Sequence, residues 1–155
     1  MRGNPESQGY CLSEAELHRL RFAVRFPIAL CLALVATGVA LQSAVVLFAL
    51  APVGLVAGFT SRHPFDLLWN HAVRRAVGAP ELPPNPAPRR NAFKLATAWI
   101  LATATLFATA LTTAGLVLGG MMVVACSSAA VLNLCLPSEV FAWLGRRQRR
   151  TALTT

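Results

Sequence analysis

Acidic side chains are the scarcest chemistry in this chain: 6 Asp and Glu stand against 14 Lys and Arg in 155 residues. Charge of both signs amounts to only 13%, where a soluble domain carries about a quarter. That is too little to wet a water-facing surface. Disorder is excluded as well, because it needs low hydrophobicity and 55% of these residues are hydrophobic. The deficit is sharply local. Phe26–Ser61 and Leu95–Ser138 contain no Asp, Glu, Lys, Arg or His. Proton relays and ion pathways leave ionisable residues at membrane depth, so their absence argues against a pump or a proton-coupled transporter. Missing too are a glycine-rich phosphate loop, a nucleophile elbow and clustered carboxylates, and no tight Cys/His spacing suits zinc. The expectation is a non-catalytic protein without metal or cofactor and with no identifiable small-molecule substrate.

What is present are two uncharged apolar runs, each too long for one crossing of about 20 residues. Each is therefore read as a hairpin. Gln42-Ser43 is the polar pair that turns the first, giving helices near 25–41 and 44–61. Thr112-Thr113-Ala114-Gly115 turns the second, giving helices near 93–112 and 116–135. Pro52 and Gly54 are expected to bend the second helix, which a bilayer tolerates when neighbours satisfy the freed carbonyl. The fold class is all-α: a polytopic membrane protein with four transmembrane helices as two hairpins.

The formal charge of +8 is a signal of orientation rather than of nucleic acid. Arg19, Arg21 and Arg25 precede the first hairpin, Arg62 to Lys94 separate the two, and Arg146, Arg147, Arg149 and Arg150 follow the second. Neither hairpin tip is charged. The positive-inside rule then places both termini and the central loop in the cytoplasm of a bacterial inner membrane. A cleavable signal is disfavoured, since the first run starts late, after Glu14 and Glu16, and continues past signal length.

The chain is read as one membrane domain: an N-terminal segment 1–24, a first hairpin 25–61, an interfacial helix 62–78, a proline-rich linker 79–91, a second hairpin 92–136, an interfacial helix 137–150 and a tail 151–155. Ser13 and Glu16 have capping-box spacing. In the first interfacial helix Phe65, Leu68, Trp69, Ala72 and Val73 recur at helical spacing, and in the last Val140, Phe141, Trp143 and Leu144 do so. Trp69 and Trp143 are expected at headgroup depth, with Arg74, Arg75, Arg146 and Arg147 toward anionic lipid. The linker is expected to be an extended, semi-rigid spacer. At an offset of 73, Arg21 meets Lys94, Pro64 meets Pro137 and Arg74 meets Arg147. The halves therefore read as parallel repeats.

Gly54-Leu-Val-Ala-Gly58 and Gly115-Leu-Val-Leu-Gly119 allow close helix approach, within the bundle or against another membrane protein. Of the cysteines, Cys31 and Cys126 fall inside spans and read as small packing residues. Cys11 and Cys135 fall near the cytoplasmic edge and form the one redox pair to consider, with His18 nearby. A structural disulfide is not expected in the cytoplasm. His18, His63 and His71 are all expected at the solvated interface.

Three local patterns belong together: Cys11-Leu-Ser-Glu-Ala-Glu-Leu-His-Arg-Leu-Arg before the first hairpin, Pro86-Ala-Pro-Arg-Arg-Asn-Ala-Phe before the second, and Asn133-Leu-Cys-Leu-Pro-Ser at its end. In this the chain resembles the DUF4395 family of small bacterial membrane proteins, over roughly Cys11 to Trp143. The family pattern has a late Cys-x-x-Cys. Here Cys135 takes its first place and Ser138 its second, so no cysteine pair is implied at that motif. The resemblance implies an architecture and no mechanism. Function is accordingly expected to be that of an accessory or scaffold subunit of a larger membrane complex, touching anionic lipids and other integral membrane proteins. The alternative is a membrane-bound thiol–disulfide protein using Cys11 and Cys135.

Overall fold

A computed structural model describes residues 14–132, together with Pro137, Val140, Phe141, Trp143 and Leu144. The described residues are helical with no strand. Helix α1 covers Glu14–Ala40, α2 Ala44–Phe59, α3 Pro64–Leu68, α4 Arg74–Val77, α5 Ala87–Ala108 and α6 Thr112–Leu132; a π-helical turn, Trp69–Val73, joins α3 to α4.

The two hairpin turns are built alike. Each first helix ends on a left-handed residue, Gln42 (φ 51) or Ala110 (φ 59). In both, a backbone amide then reaches five residues back: Ser43 N–H donates to Gly38 O, and Leu111 N–H to Leu106 O, each at 2.9 Å. This wrapping satisfies carbonyls that a helix end otherwise leaves orphaned. The first turn falls where Gln42-Ser43 places it, with Ser43 capping α2. The second comes earlier than Thr112–Gly115. Thr109 Oγ1 donates back to Thr105 O and Leu106 O, and α6 has already begun at Thr112. The turns are thus 68 residues apart (110 − 42), not the 73 at which the flanking segments echo.

α2 stays helical through Pro52 and stops at Phe59, short of the expected residue 61. Thr60 adopts an extended backbone, and its amide and hydroxyl both donate to Val56 O. Sixteen residues rise about 24 Å, less than the roughly 30 Å of a hydrocarbon core. Three helical stretches, Phe22–Ala40, Ala87–Ala108 and Thr112–Val131, are long and apolar enough to cross a membrane; α2 matches that length only together with the segment Pro64–Val77, which turns away from it by 85°.

α1 and α5 each pack on both α2 and α6. Each of the four long helices therefore has two packed neighbours, and the four form a ring. Its interior holds Val35, Val39, Leu47, Leu50, Ile100, Ala104 and Met122. The outward faces of α2 and α6 are apolar instead: Phe48, Leu55, Phe59, Val117, Met121 and Val124 are all exposed. Water would penalise such a belt, whereas lipid tails solvate it.

All four glycines of the small-residue motifs are used inside this ring. A Cβ on Gly54 would collide with Thr97 Oγ1. On Gly58 it would lie 2.7 Å from Lys94 Cγ, on Gly115 2.6 Å from Phe107, and on Gly119 2.6 Å from Val39. Threonines bond back along their own helix, Thr97 to Phe93 O and Thr103 to Trp99 O. Trp99 Nε1 donates across to Leu118 O on α6.

Candidate functional site

Beyond α2 the chain passes through Thr60–His63 and re-enters helix at Pro64, whose fixed φ suits a first helical position. His63 caps that helix. Its Nδ1 accepts from Phe65 N–H at 3.1 Å, and Asp66 Oδ2 accepts from His63 N–H at 2.9 Å. This is the reciprocal capping arrangement with His and Asp in the usual Ser/Thr and Glu places. Asp66 Oδ2 accepts a second bond, from Asn85 Nδ2 at 2.6 Å.

Asn85 belongs to the proline-rich segment, which has no helix over 79–86 but is not a loose spacer. Asn85 N–H donates to Ser61 O, Leu82 N–H to Asn70 Oδ1, and Trp69 Nε1 to Pro80 O. Leu82 itself is buried beside Trp69, Leu20 and Ala23. The segment is a strap pinned along its length. It also ends sooner than expected, because α5 starts at Ala87 rather than residue 92, with Pro88 in its first turn.

Two expected interfacial side chains are therefore interior. Trp69 is 0% exposed, packed against Phe22 and Phe26 at centroid distances of 5.8 and 5.3 Å. The strap covers it, with Leu82 beside the ring and Pro80 O accepting from its Nε1. His63 is 1% exposed rather than solvated, with its ring between Phe65 and Phe93. Burial pushes its pKa down to about 4; the Asp66 carboxylate opposes that shift and the Arg89 guanidinium adds to it. His63 is thus neutral at ordinary pH. Since Nδ1 accepts, the ring proton sits on Nε2, 3.6 Å from Cys31 Sγ.

Cys31 opens onto a cavity of about 130 Å³ at the middle of the ring. α1 contributes Ile28 and Val35, α2 Leu50 and Gly54, α5 Ala92, Ala96 and Ile100, and α6 Met122, Cys126 and Ala129. His63, Arg89, Thr97 and Trp99 also line it, and with Cys31 and Cys126 they are its polar residues. Arg89 is 4% exposed, donates to Val24 O at 3.5 Å and has its guanidinium carbon 5.7 Å from the Phe93 ring centroid. For comparison, an apolar cavity of about 150 Å³ is enough for benzene.

Cys31 and Cys126, which read as packing residues, are thus the thiols brought to one chamber. Cys11 and Cys135 lie outside the described residues, as do Ser13, Arg146 and Arg147. Arg74 pairs with Glu81 at 3.3 Å, Arg75 is exposed, and Trp143 is 47% exposed. The buried constellation of His63, Asp66, Asn85 and Arg89 is assembled from separate segments and does not show in the sequence as a unit. One signal was available: His63-Pro-Phe-Asp66 has the spacing of a capping box. Nothing local marks Arg89, whose burial depends on α1.

The sequence profile of DUF4395, a domain of unknown function, matches residues 21–146. The chain belongs to the DUF4395 family. No curated protein matches it, and no solved structure does.

Proposed function

We propose that this chain is a multi-pass protein of the bacterial inner membrane that serves a larger membrane assembly as a non-catalytic binding subunit. Its ring takes a small, mainly apolar molecule into the central cavity, with any polar end of that molecule toward His63 and Arg89. The observation that carries this reading is the cavity itself: helices from both hairpins line it, yet two buried polar side chains close one end. Binding sites of this kind are largely apolar, with few oriented polar groups.

The same proposal crosses the membrane four times, α2 being the short crossing and Pro64–Val77 turning to lie in the cytoplasmic interface. The arginine distribution supports it, with basic residues at both termini and around the strap and none at Gln42 or Thr109–Leu111. Reporter fusions at Gln42 and Ala110 should read the outer side, and one at Asn85 the cytoplasm. A partner subunit would dock on the exposed apolar faces of α2 and α6, since the glycine faces are already occupied.

The test of binding is mass spectrometry of small molecules that co-purify with the chain in mild detergent. A stoichiometric lipophile should accompany the wild type and be lost from Ala129→Phe, which fills the cavity. Equal retention by the filled variant would remove the cavity from consideration.

A second reading, thiol chemistry, is favoured by the Cys31–His63 contact and by Cys126 on the same chamber. The Nε2–H of His63 points at the sulfur, so the ring could not itself take the thiol proton in this tautomer. Maleimide labelling separates the possibilities. Oxidation by diamide should protect Cys31 and Cys126 together if they form a pair, and Cys11 and Cys135 if the cytoplasmic-edge cysteines do.

A further inference from the structure

We propose that Arg90 and Lys94, at the cytoplasmic end of the α2–α5 seam, bind the phosphate of an anionic phospholipid headgroup. The seam is tight at this point. A Cβ on Gly58 would meet both Lys94 Cγ and, at 3.5 Å, Arg90 O. Arg90 and Lys94 are four residues apart and so share a face of α5. That face meets the last turn of α2, where the apolar belt ends.

Neither cation has a carboxylate partner among the described residues. Among the described side chains the carboxylates are Asp66 and Glu81, and both are committed elsewhere. Asp66 accepts from His63 N–H and Asn85, and Glu81 bridges Arg62 and Arg74. The Lys94 ammonium stands 4.7 Å from the centroid of Phe59, a ring that is 68% exposed and holds the charge at the rim. Arg90 supplies an independent pointer. Its Nε is the one buried side-chain nitrogen or oxygen without a hydrogen-bond partner among the described residues. A buried donor left unmatched calls for a missing acceptor.

Phosphate oxygens meet both demands. They are strong acceptors, and a guanidinium engages them in a two-pronged fork that includes Nε–H. Arg90 must change rotamer to present Nε outward, which the ligand's bonds would drive. The C-terminus of α2 carries about half a negative charge, which two cations outweigh. A lipid is the fitting carrier, because its acyl chains would run down the exposed apolar face of α2 past Leu55 and Val56. The site lies on the outside of the ring, apart from the central cavity.

The experiment is native mass spectrometry of the full chain titrated with phosphatidylglycerol, phosphatidylcholine or inorganic phosphate. Phosphatidylglycerol should bind in preference to phosphatidylcholine. Arg90→Gln and Lys94→Gln should each weaken it about fivefold, whereas Lys94→Arg should retain it. Equal binding of the two lipids, or no loss in either glutamine variant, would overturn the proposal. Inorganic phosphate competing as strongly as the lipid would overturn the lipid assignment. A change in thermal midpoint on Arg90→Gln identifies loss of fold, in which case the Lys94 pair of variants decides.

Discussion

The two ends of the four-helix ring solve the same problem by different means. At the hairpin tips the chain reverses around Gln42 and Ala110 with backbone hydrogen bonds, helped only by local hydroxyls of Ser43 and Thr109. At the opposite end His63, Asp66, Asn70, Asn85 and Arg89 are all buried, and a strap of irregular chain is laced to them. A tip needs only to turn. The other end must fix a second hairpin against the first, and buried polar bonds permit few arrangements. That end also adjoins the cavity, so the elements that specify the fold are those that shape the candidate site.

Breaking the polar end should have the largest effect. Asp66→Ala leaves two buried donors, His63 N–H and Asn85 Nδ2, without their acceptor, which should cost roughly 3 kcal/mol at about 1–3 per group. Thermal unfolding in detergent measures it, and a loss no greater than that of a surface substitution would contradict the network. Next comes the seam that joins the hairpins. Gly54→Val drives a side chain into Thr97 and should destabilise by about 2 kcal/mol, whereas a glycine that faced a partner protein would tolerate valine in the isolated chain.

A smaller effect should appear with pH. His63 has a folded pKa near 4 against an ordinary 6.5. The unfolded chain therefore takes up the proton first, and stability falls as pH drops from about 6.5 toward 4. Loss by about pH 5 should be roughly 1–2 kcal/mol, and His63→Gln should flatten that slope. The tips should respond least and in the opposite sense. Ala110→Gly relieves a left-handed alanine and should stabilise by roughly 0.5–1 kcal/mol after the added freedom of the unfolded chain is discounted.

These regions also differ in what the sequence disclosed. Apolar runs and their polar interruptions located the helices, because burial in a bilayer is a one-dimensional property of composition. The first turn was legible from Gln42-Ser43. The second was displaced because Thr109 bonds back to its own helix, which composition does not register. The polar end was read as solvated for a related reason. His63, Asp66 and Trp69 carry an amphipathic pattern that suits a membrane surface equally well, and what covers them comes from distant chain: α1, α5 and the strap folding back from Pro80 to Asn85. Gly54 and Gly58 announced a close approach, but the partner surface, Thr97 and Lys94 on α5, lies in the other hairpin.

The central claim is that the ring's cavity binds a small apolar molecule, and the direct measurement is fluorine NMR of a fluorobenzene titrated into the detergent-solubilised chain. Wild type should show saturable, slowly relaxing bound signal above detergent partitioning, and Ala129→Phe in the same detergent should show none. Identical partitioning for the two proteins would contradict the claim.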